Sequence, residues 1–330
     1  MPAQPVVLPA VGQPILTLHA VSKSYGQVKA ADQVSLEVPR GTIYGLLGPN
    51  GAGKTTTIRC LMNIILPDAG EVLFAGKQLD SSLRDRIGYL PEERGLYRKM
   101  TCLEQLVYLA QLKSMPRGNA VKQALQWLER LDLTSWRQRK VDTLSKGMQQ
   151  KIQFAATFIF EPDLVILDEP FAGLDPLNIE LLREIILQEK KRGTTILFST
   201  HMLAEAEQIC DAICLIEGGQ KILDGTLDVI RRDFPLQSIQ LAYADESRPP
   251  EELPGVTQQE FEAGIWRLTL TEDSDTRQLL TTLAKAGPVS LFSANRPSLS
   301  EIFLTAVRQR RGEAAAQRIA NPAPALEGKE

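Results

Sequence analysis

Apolar and polar positions alternate in the first part of the chain and then give way to continuous apolar runs. Residues 15–21 and 34–38 alternate, which is the period of a strand with one exposed face. Residues 42–47, 164–169 and 194–200 are instead largely apolar, as in parallel strands that are covered on both faces. The pattern therefore predicts an α/β fold in which an antiparallel β subdomain precedes a parallel core.

Helical spacing of apolar residues appears between these strands. It predicts five helices, at residues 55–62, 101–112, 121–131, 151–160 and 180–191. Thr101 and Glu104 form a capping box at the start of the second helix. Further strands are predicted at 71–74 and 87–90. The three middle helices are expected to form a helical insertion, at about residues 93–160, between two halves of the sheet.

A smaller domain is predicted after residue 235. Its pattern favours an α+β accessory domain over residues 236–311, with no cluster of metal ligands or nucleophiles, so regulation or dimer contact suits it better than chemistry. Strands are expected at 238–242, 258–262, 265–270 and 289–293, and helices at 275–286 and 299–307. The first domain then spans 15–235. A proline-rich lead-in, 1–14, and an alanine- and glutamate-rich tail, 312–330, are expected to be disordered.

Composition is that of an ordinary globular protein. The chain has 330 residues, of which 43% are hydrophobic and 23% charged, and its net charge of -3 gives no bulk attraction to nucleic acid. Its four cysteines form no CxxC pair and are expected to be buried thiols. No stretch approaches the about 18 uninterrupted apolar residues that a membrane helix needs. If the protein acts at a membrane, another chain must span it.

The stretch from residue 48 to residue 56 fits the P-loop pattern G-x-x-x-x-G-K-[ST] and lies between a predicted strand and a predicted helix. It consists of Gly48, Pro49, Asn50, Gly51, Ala52, Gly53, Lys54, Thr55 and Thr56. The glycines allow backbone amides to approach phosphate oxygens, and the helix start adds its positive dipole end. Lys54 would reach the β- and γ-phosphates, Thr55 would hold Mg²⁺, and Thr56 would donate to phosphate. A chance match is the alternative, and the correct flanking elements disfavour it.

Two carboxylates and a histidine follow predicted strands of the same sheet. Asp168 ends an apolar run, where a buried acid needs a cation, so it is a candidate Mg²⁺ ligand. Glu169 comes next and could activate water for attack on the γ-phosphate. His201 follows residues 194–200 and could contact that phosphate or that water. The alternatives are two helix-capping acids and a structural histidine.

Four further stretches, together with the P-loop, resemble the ATP-binding cassette ATPases, which are the nucleotide-binding subunits of ABC transporters. The segment Ser145, Lys146, Gly147 and Met148 is similar to the family signature, usually written LSGGQ, and residues 164–170 resemble the Walker B strand. Asp175 falls in a stretch that looks like the D-loop, and His201 matches the switch histidine. Tyr25 stands where the family's adenine-stacking aromatic is expected, although a tyrosine between strands also suits packing.

The resemblance implies that the signature of one cassette caps the ATP held by the P-loop of another. It therefore implies ATP and Mg²⁺ as cofactors, and a second cassette, as a homodimer or a paired homologue. It also implies a polytopic membrane permease as partner at the cytoplasmic face of the inner membrane, and no nucleic acid. The sequence of residues 91–97, together with a C-terminal appendage, resembles bacterial exporter ATPases of the sodium-efflux type.

Three residues depart from the family pattern. Glu92 stands where many cassettes have a glutamine, so it could face Mg²⁺ but could not donate a hydrogen bond. Lys146 and Met148 replace a glycine and a glutamine of the signature, while Ser145 and Gly147 remain. The alternative function is a soluble cassette ATPase that acts on ribosomes or DNA. The single cassette and the absence of a heptad run disfavour it.

Overall fold

The computed structural model describes residues 14–93, 95–234, 238–271, 274–294 and 297–320. The lead-in before Pro14 and the last ten residues of the predicted tail lie outside the described residues. The chain divides into two compact units, of which the first ends at Thr226 and the second begins at Leu227. The sequence pattern predicted the division after residue 235. Each unit is described by itself.

The first unit contains ten strands, seven α-helices and two short 3-10 helices among the described residues. Its strands are β1 (Pro14–Tyr25), β2 (Val28–Pro39), β3 (Ile43–Leu47), β4 (Ala69–Phe74), β5 (Lys77–Gln78), β6 (Ile87–Leu90), β7 (Leu164–Asp168), β8 (Thr195–Thr200), β9 (Ala212–Glu217) and β10 (Gln220–Thr226). Its helices are α1 (Lys54–Leu61), α2 (Ser81–Arg84), α3 (Cys102–Leu112), α4 (Arg117–Arg130), α5 (Lys146–Phe158), α6 (Pro176–Lys191) and α7 (Leu203–Ile209).

Two sheets organise this unit. The first is antiparallel, in the order β2-β1-β4-β5, as the alternating pattern predicted. The second has the order β10-β9-β3-β8-β7-β6 and is parallel from β9 to β6. Strands β3, β7 and β8 are buried at every position, because both faces of a parallel sheet are covered. The predicted α/β fold with an antiparallel subdomain is confirmed.

Helices α3, α4 and α5 lie between β6 and β7 in the chain and form the predicted helical segment. The capping box of Thr101 and Glu104 is present at the start of α3. Trp127 of α4 is buried and stacks on Phe158 of α5, with ring centroids 5.8 Å apart. Gly88 of β6 lies so close to α5 that a Cβ would be 2.3 Å from the Thr157 carbonyl oxygen. The helical segment is therefore packed directly against the edge strand of the parallel sheet.

The second unit is α+β. It contains α8 (Leu227–Arg232), β11 (Ser238–Tyr243), β12 (Val256–Glu262), β13 (Ile265–Leu270), α9 (Thr276–Ala286), β14 (Val289–Ser293) and α10 (Leu299–Ala320). The strands form an antiparallel sheet in the order β12-β13-β11-β14. Leu279 and Leu283 of α9 are part of a separate hydrophobic core with Ile239, Leu241 and Leu268 of this sheet.

The prediction of a disordered tail from Gly312 is wrong for its first part, since α10 continues to Ala320. Four of the nine residues 312–320 are alanine, which has the highest helix propensity. Among the helices within the described ranges, none combines the length and apolar character needed to cross a membrane.

Candidate functional site

The parallel order of the sheet gathers the predicted site at one edge. Strand β3 has β8 as its parallel neighbour, β8 has β7, and β7 has β6. Their carboxyl ends therefore meet, and these ends lead into the P-loop, Asp168 with Glu169, His201 and Glu92. Ligands bind at such ends in open α/β sheets.

The P-loop is tightly packed where it leaves β3 and where it enters α1. Gly48 has φ 153°, and a Cβ there would lie 2.1 Å from the carbonyl oxygen of Ile216. Gly53 has φ 105°, and a Cβ there would lie 2.0 Å from the carbonyl oxygen of Ala30. Only glycine fits both positions. Gly53 is also the N-cap of α1 and contributes no side-chain cap, so amides at the helix start are left for an anion.

Lys54 is only 6% exposed, and oxygens surround its ammonium group. The Nζ atom donates to the carbonyl oxygens of Gly48, at 2.8 Å, and Pro49, at 3.2 Å. It also lies 3.4 Å from Oε1 of Glu169. These contacts hold the cation of the P-loop against the carboxylate that follows β7.

Asp168 ends strand β7 and is 1% exposed. Its Oδ1 accepts a hydrogen bond from the Ser199 hydroxyl at 2.9 Å, whereas its buried Oδ2 has no hydrogen-bond partner among the described residues. Burial raises the pKa of this carboxyl above its ordinary value, and the charges of Glu169 and Glu92 add to that rise, while the hydroxyls of Ser199 and Thr55 oppose it. An unpaired buried carboxylate oxygen beside a threonine hydroxyl fits the oxygen ligands that Mg²⁺ prefers.

Glu169 has an unusual backbone and a fully engaged side chain. Its φ is 50°, in the left-handed region that residues other than glycine rarely adopt. Its amide donates to the Ser199 carbonyl at 2.9 Å. Its Oε1 accepts from the amide of His201 at 3.1 Å. Its Oε2 accepts from the Thr200 hydroxyl at 3.2 Å and lies 2.9 Å from Nδ1 of His201. Carboxylate and imidazole therefore form a contacting pair, and strain of this kind is typical of functional sites.

An open cleft brings most of the predicted residues together. It is lined by Ala30, Asn50, Gly51, Ala52, Gly53, Lys54, Thr55, Thr56, Glu92, Glu169, Ala172 and His201. A smaller cavity beside it is lined by Glu92, Asp168 and Glu169 as well. One chain thus supplies the P-loop, the carboxylates and the histidine to a single surface.

The signature residues are not among those that line this cleft. Ser145 is the N-cap of α5, and its hydroxyl accepts from the amide of Met148 at 3.3 Å. Gly147 lies near the loop before α6, since a Cβ there would be 3.5 Å from Cδ2 of Leu174. Lys146 is exposed at the helix start. The start of α5 is therefore a separate polar surface of the first unit.

Tyr25 and Asp175 are also absent from the lining of the cleft. Tyr25 ends β1, pairs with Val28 across the turn and is 51% exposed. Asp175 is the N-cap of α6 and accepts from the amide of Asn178 at 3.0 Å. Hydrogen bonds from Asn178 lower the pKa of this carboxyl. Adenine stacking by Tyr25 and a D-loop role for Asp175 stay predictions.

Sequence reasoning missed the residues that hold the carboxylates. Ser199 and Thr200 each donate a hydroxyl to one of them, yet the stretch 199–201 had drawn attention only through His201. It also missed Gln150 and Gln153 of α5, whose side chains donate to backbone beside the site. Glutamine at these positions carries no motif, so only their helical spacing could have indicated a shared face.

The fold and the site define the class of P-loop nucleotide-hydrolysing domains. A helical segment is inserted between β6 and β7, the strand that ends in Asp168. Comparison with known proteins is more specific. The model of the ABC transporter family matches residues 31–172. The C-terminal domain of DrrA1-3-like ATP-binding proteins matches residues 225–307. This chain belongs to the ATP-binding subunits of ABC transporters.

Relatives and solved structures agree with that assignment. The uncharacterized ABC transporter ATP-binding protein YhaQ of Bacillus subtilis is 39% identical over 293 residues, which cover 89% of this chain and 98% of that protein. The Nod factor export ATP-binding protein I of Ralstonia nicotianae is 37% identical over 221 residues, or 66% of this chain and 69% of that protein. A solved ATP-binding subunit of an ABC transporter is 35% identical, with a TM-score of 0.63 over 66% of this chain and 92% of that one.

Family membership makes the chain an ATP-hydrolysing transporter subunit. It confirms the resemblance drawn from the motifs and does not favour a soluble cassette ATPase that acts on ribosomes or DNA. The match at residues 225–307 further agrees with the exporter ATPases that the C-terminal appendage resembled.

Proposed function

We propose that this chain hydrolyses MgATP held between two cassettes in head-to-tail arrangement and thereby powers a separate membrane-spanning permease of an exporter. The observation that carries the proposal is the division of the motifs. Lys54, Glu169 and His201 share one cleft, whereas Ser145 belongs to a different surface of the same unit. A second copy can supply what that cleft lacks.

The phosphates are bound by the P-loop. The amides of residues 50–56 and the start of α1 form an anion site, in which the Lys54 ammonium exchanges the oxygens of Gly48 and Pro49 for those of the β- and γ-phosphates. Thr56 donates to phosphate at the helix start. Tyr25, exposed at the end of β1, stacks on adenine.

Thr55, Asp168 and Glu92 are the residues that would hold Mg²⁺, directly or through water. When bound, the ion supplies positive charge to the phosphate oxygens. On the side of the protein, the unpaired Oδ2 of Asp168 gains a partner, and the cost of burying that carboxylate falls.

Glu169 orients the attacking water and accepts its proton as the water oxygen bonds to the γ-phosphorus and the bond to the β-phosphate oxygen breaks. Because Nδ1 of His201 lies against Glu169, Nε2 is the nitrogen left to contact the γ-phosphate or the water. The Thr200 hydroxyl and the His201 amide keep the carboxylate in place.

The second cassette presents its signature to the same ATP. Ser145 caps α5, and Gly147 has no Cβ to block the approach of a phosphate to the helix start. Lys146 adds a positive charge that the usual glycine lacks. Asp175 lies at the start of the neighbouring helix α6 and contributes to the same interface between the two cassettes.

An apolar groove in the first unit supports a permease as partner. Ile87, Leu96, Leu109, Leu112 and Phe160 are among the residues that line it, and Leu112 is 56% exposed. Exposed apolar patches of this kind mark interaction sites. We place a cytoplasmic segment of the permease there, at the inner membrane, and the export function named for the Nod factor relative supports an exporter.

Glu169→Gln tests the hydrolytic core of the proposal. The amide keeps an acceptor for His201 and Thr200 but cannot take a proton, so turnover should fall by about 100-fold or more while ATP affinity is retained. ATP should then convert the variant into a dimer in light scattering, because the bound nucleotide is no longer consumed.

Glu180→Gln is the matched control, since it removes an exposed carboxylate of α6 that pairs only with Arg183 among the described contacts. It should hydrolyse ATP at the rate of the unchanged chain. Normal hydrolysis by Glu169→Gln would remove Glu169 from the mechanism, and a monomer that is saturated with ATP would reject the shared site.

A further inference from the structure

Gln150 ties helix α5 to the loop behind the proposed catalytic base. Its Nε2 donates to the carbonyl oxygen of Pro170 at 2.5 Å. Pro170 follows Glu169 directly and has no amide hydrogen of its own, so its carbonyl is the backbone group that this residue can offer. The helix therefore holds the backbone on the far side of Glu169 from strand β7.

Gln153 ties the same helix to the loop that carries Glu92. Its Nε2 lies 3.3 Å from the carbonyl oxygen of Glu93 and 3.5 Å from that of Pro91. These two residues flank Glu92 on either side. One amide group thus holds the backbone around the carboxylate that departs from the family pattern.

Both glutamines face the same small cavity, because they are three residues apart on one helix. Glu92, Asp168 and Glu169 line this cavity with them. Gln153 is 7% exposed, and its neighbours Ile152 and Phe154 are fully buried. A buried amide is unfavourable unless it is hydrogen-bonded. The hydrogen bonds of Gln153 to the Glu92 loop therefore determine the position of its side chain.

We propose that Gln150 and Gln153 are positioning residues through which helix α5 sets the Glu169 loop and the Glu92 loop. The inference rests on the proposed function, in which Ser145 at the start of this helix contacts the phosphate bound by another copy. A displacement of α5 at its first residue then reaches both loops of its own chain. Each ATP thereby adjusts the water-activating and metal-binding carboxylates of the neighbouring site.

The two glutamines should fail in different ways when methionine replaces them, since methionine has a similar length and no donor. Gln153→Met frees the Glu92 loop. It should raise by about fivefold the Mg²⁺ concentration needed for half-maximal binding of a non-hydrolysable ATP analogue, the loss expected for one hydrogen bond. Its kcat at saturating Mg²⁺ should be nearly unchanged.

Gln150→Met frees Pro170 and with it Glu169. It should lower kcat by about fivefold and leave the Mg²⁺ midpoint of analogue binding in place. Lys151→Met is the control on the same helix, because the Lys151 ammonium donates to the Leu131 carbonyl, away from both loops. It should change neither quantity.

A double-mutant cycle separates positioning from simple loss of stability. In a Glu92→Gln background, Gln153→Met should shift the Mg²⁺ midpoint no further, because the carboxylate that it positions is gone. Additive shifts, or equal losses of kcat and Mg²⁺ affinity in both glutamine variants, would overturn the proposal. An unchanged chain that hydrolyses no ATP would instead refute the proposed function.

Discussion

At the scale of single residues, Asp168 and Glu169 are neighbours in opposite environments. Asp168 ends a buried strand and keeps one oxygen unpaired, whereas Glu169 turns away at a positive φ and has Lys54, Thr200 and His201 around its oxygens. The change of backbone direction between them separates the two carboxylates. It suits one to a cation and the other to a proton transfer.

The buried carboxyl of Asp168 predicts a conflict between stability and function. Its pKa is raised above 3.8, so the folded chain binds more protons than the unfolded chain between pH 3.8 and the raised value. Stability from this group is therefore lost as pH rises through that window. Asp168→Asn removes the buried charge and should therefore make the chain more stable at pH 8 without Mg²⁺ or nucleotide.

Thermal unfolding in a chelator checks this expectation, and the gain should shrink as pH falls towards 4. The same variant should lose the Mg²⁺ dependence of ATP binding. Asp85→Asn changes an exposed carboxylate and should move stability by less than about 0.5 kcal/mol. If Asp168→Asn were less stable than the unchanged chain at pH 8, the buried charge would not carry the cost assigned to it.

Motif spacing was enough to predict that Lys54, Glu169 and His201 would meet, because parallel strands bring their carboxyl ends to one edge. It could not predict the hydroxyls of Ser199 and Thr200 as partners of the carboxylates. Those contacts depend on the register of β7 against β8, in which Asp168 lies opposite Ser199. The register of two paired strands cannot be predicted from the sequence of either strand alone.

At the scale of elements, the periodicity identified the strands and helices that carry the site but misjudged some boundaries. Apolar periodicity begins helix α5 only at residue 151, whereas the interpretation of Ser145 and Gly147 as residues that open a helix agrees with its observed start at Lys146, where Ser145 is the N-cap. Strand β9 was not predicted. It fills the position between β3 and β10, and its short apolar run does not by itself distinguish a strand from a buried helix.

The apolar groove bordered by α3 is the element on which the permease proposal is tested. Leu112→Glu places a charge where an apolar partner segment should dock. Purification from detergent-solubilised membranes should then recover little of the multi-span protein that is expected to accompany the unchanged chain, while ATP hydrolysis by the isolated chain stays the same. Desolvating the unpaired carboxylate at the contact is the physical reason.

Leu125→Glu is the matched control, because Leu125 lies on α4, is 39% exposed and is not among the residues that line the groove. It should retain the membrane protein. If both variants recovered equal amounts of the membrane protein, the groove would not be the docking surface.

At the scale of the whole molecule, the chain has two compact units with separate hydrophobic cores. Composition and periodicity predicted this organisation, since a chain of this length exceeds what one core usually organises. In the proposed arrangement, the placement of Ser145 outside the P-loop cleft means that one copy alone holds an incomplete site. A symmetric pair completes two sites at once, because each copy offers the same two surfaces.

Mixing two inactive variants gives the sharpest test of that arrangement. Lys54→Ala disables the P-loop, and Ser145→Arg blocks the signature with a bulky side chain, so each homodimer should be inactive. In a mixed dimer, one site carries both defects and the other carries none. Equal amounts should therefore regain up to about a quarter of normal ATP hydrolysis, since half of the pairs are mixed and each has one intact site. Lys54→Ala and Glu169→Gln both change the P-loop side of the site. A mixture of these two variants therefore has a defect in every site and should regain no ATP hydrolysis. A site built within one chain would leave both mixtures inactive.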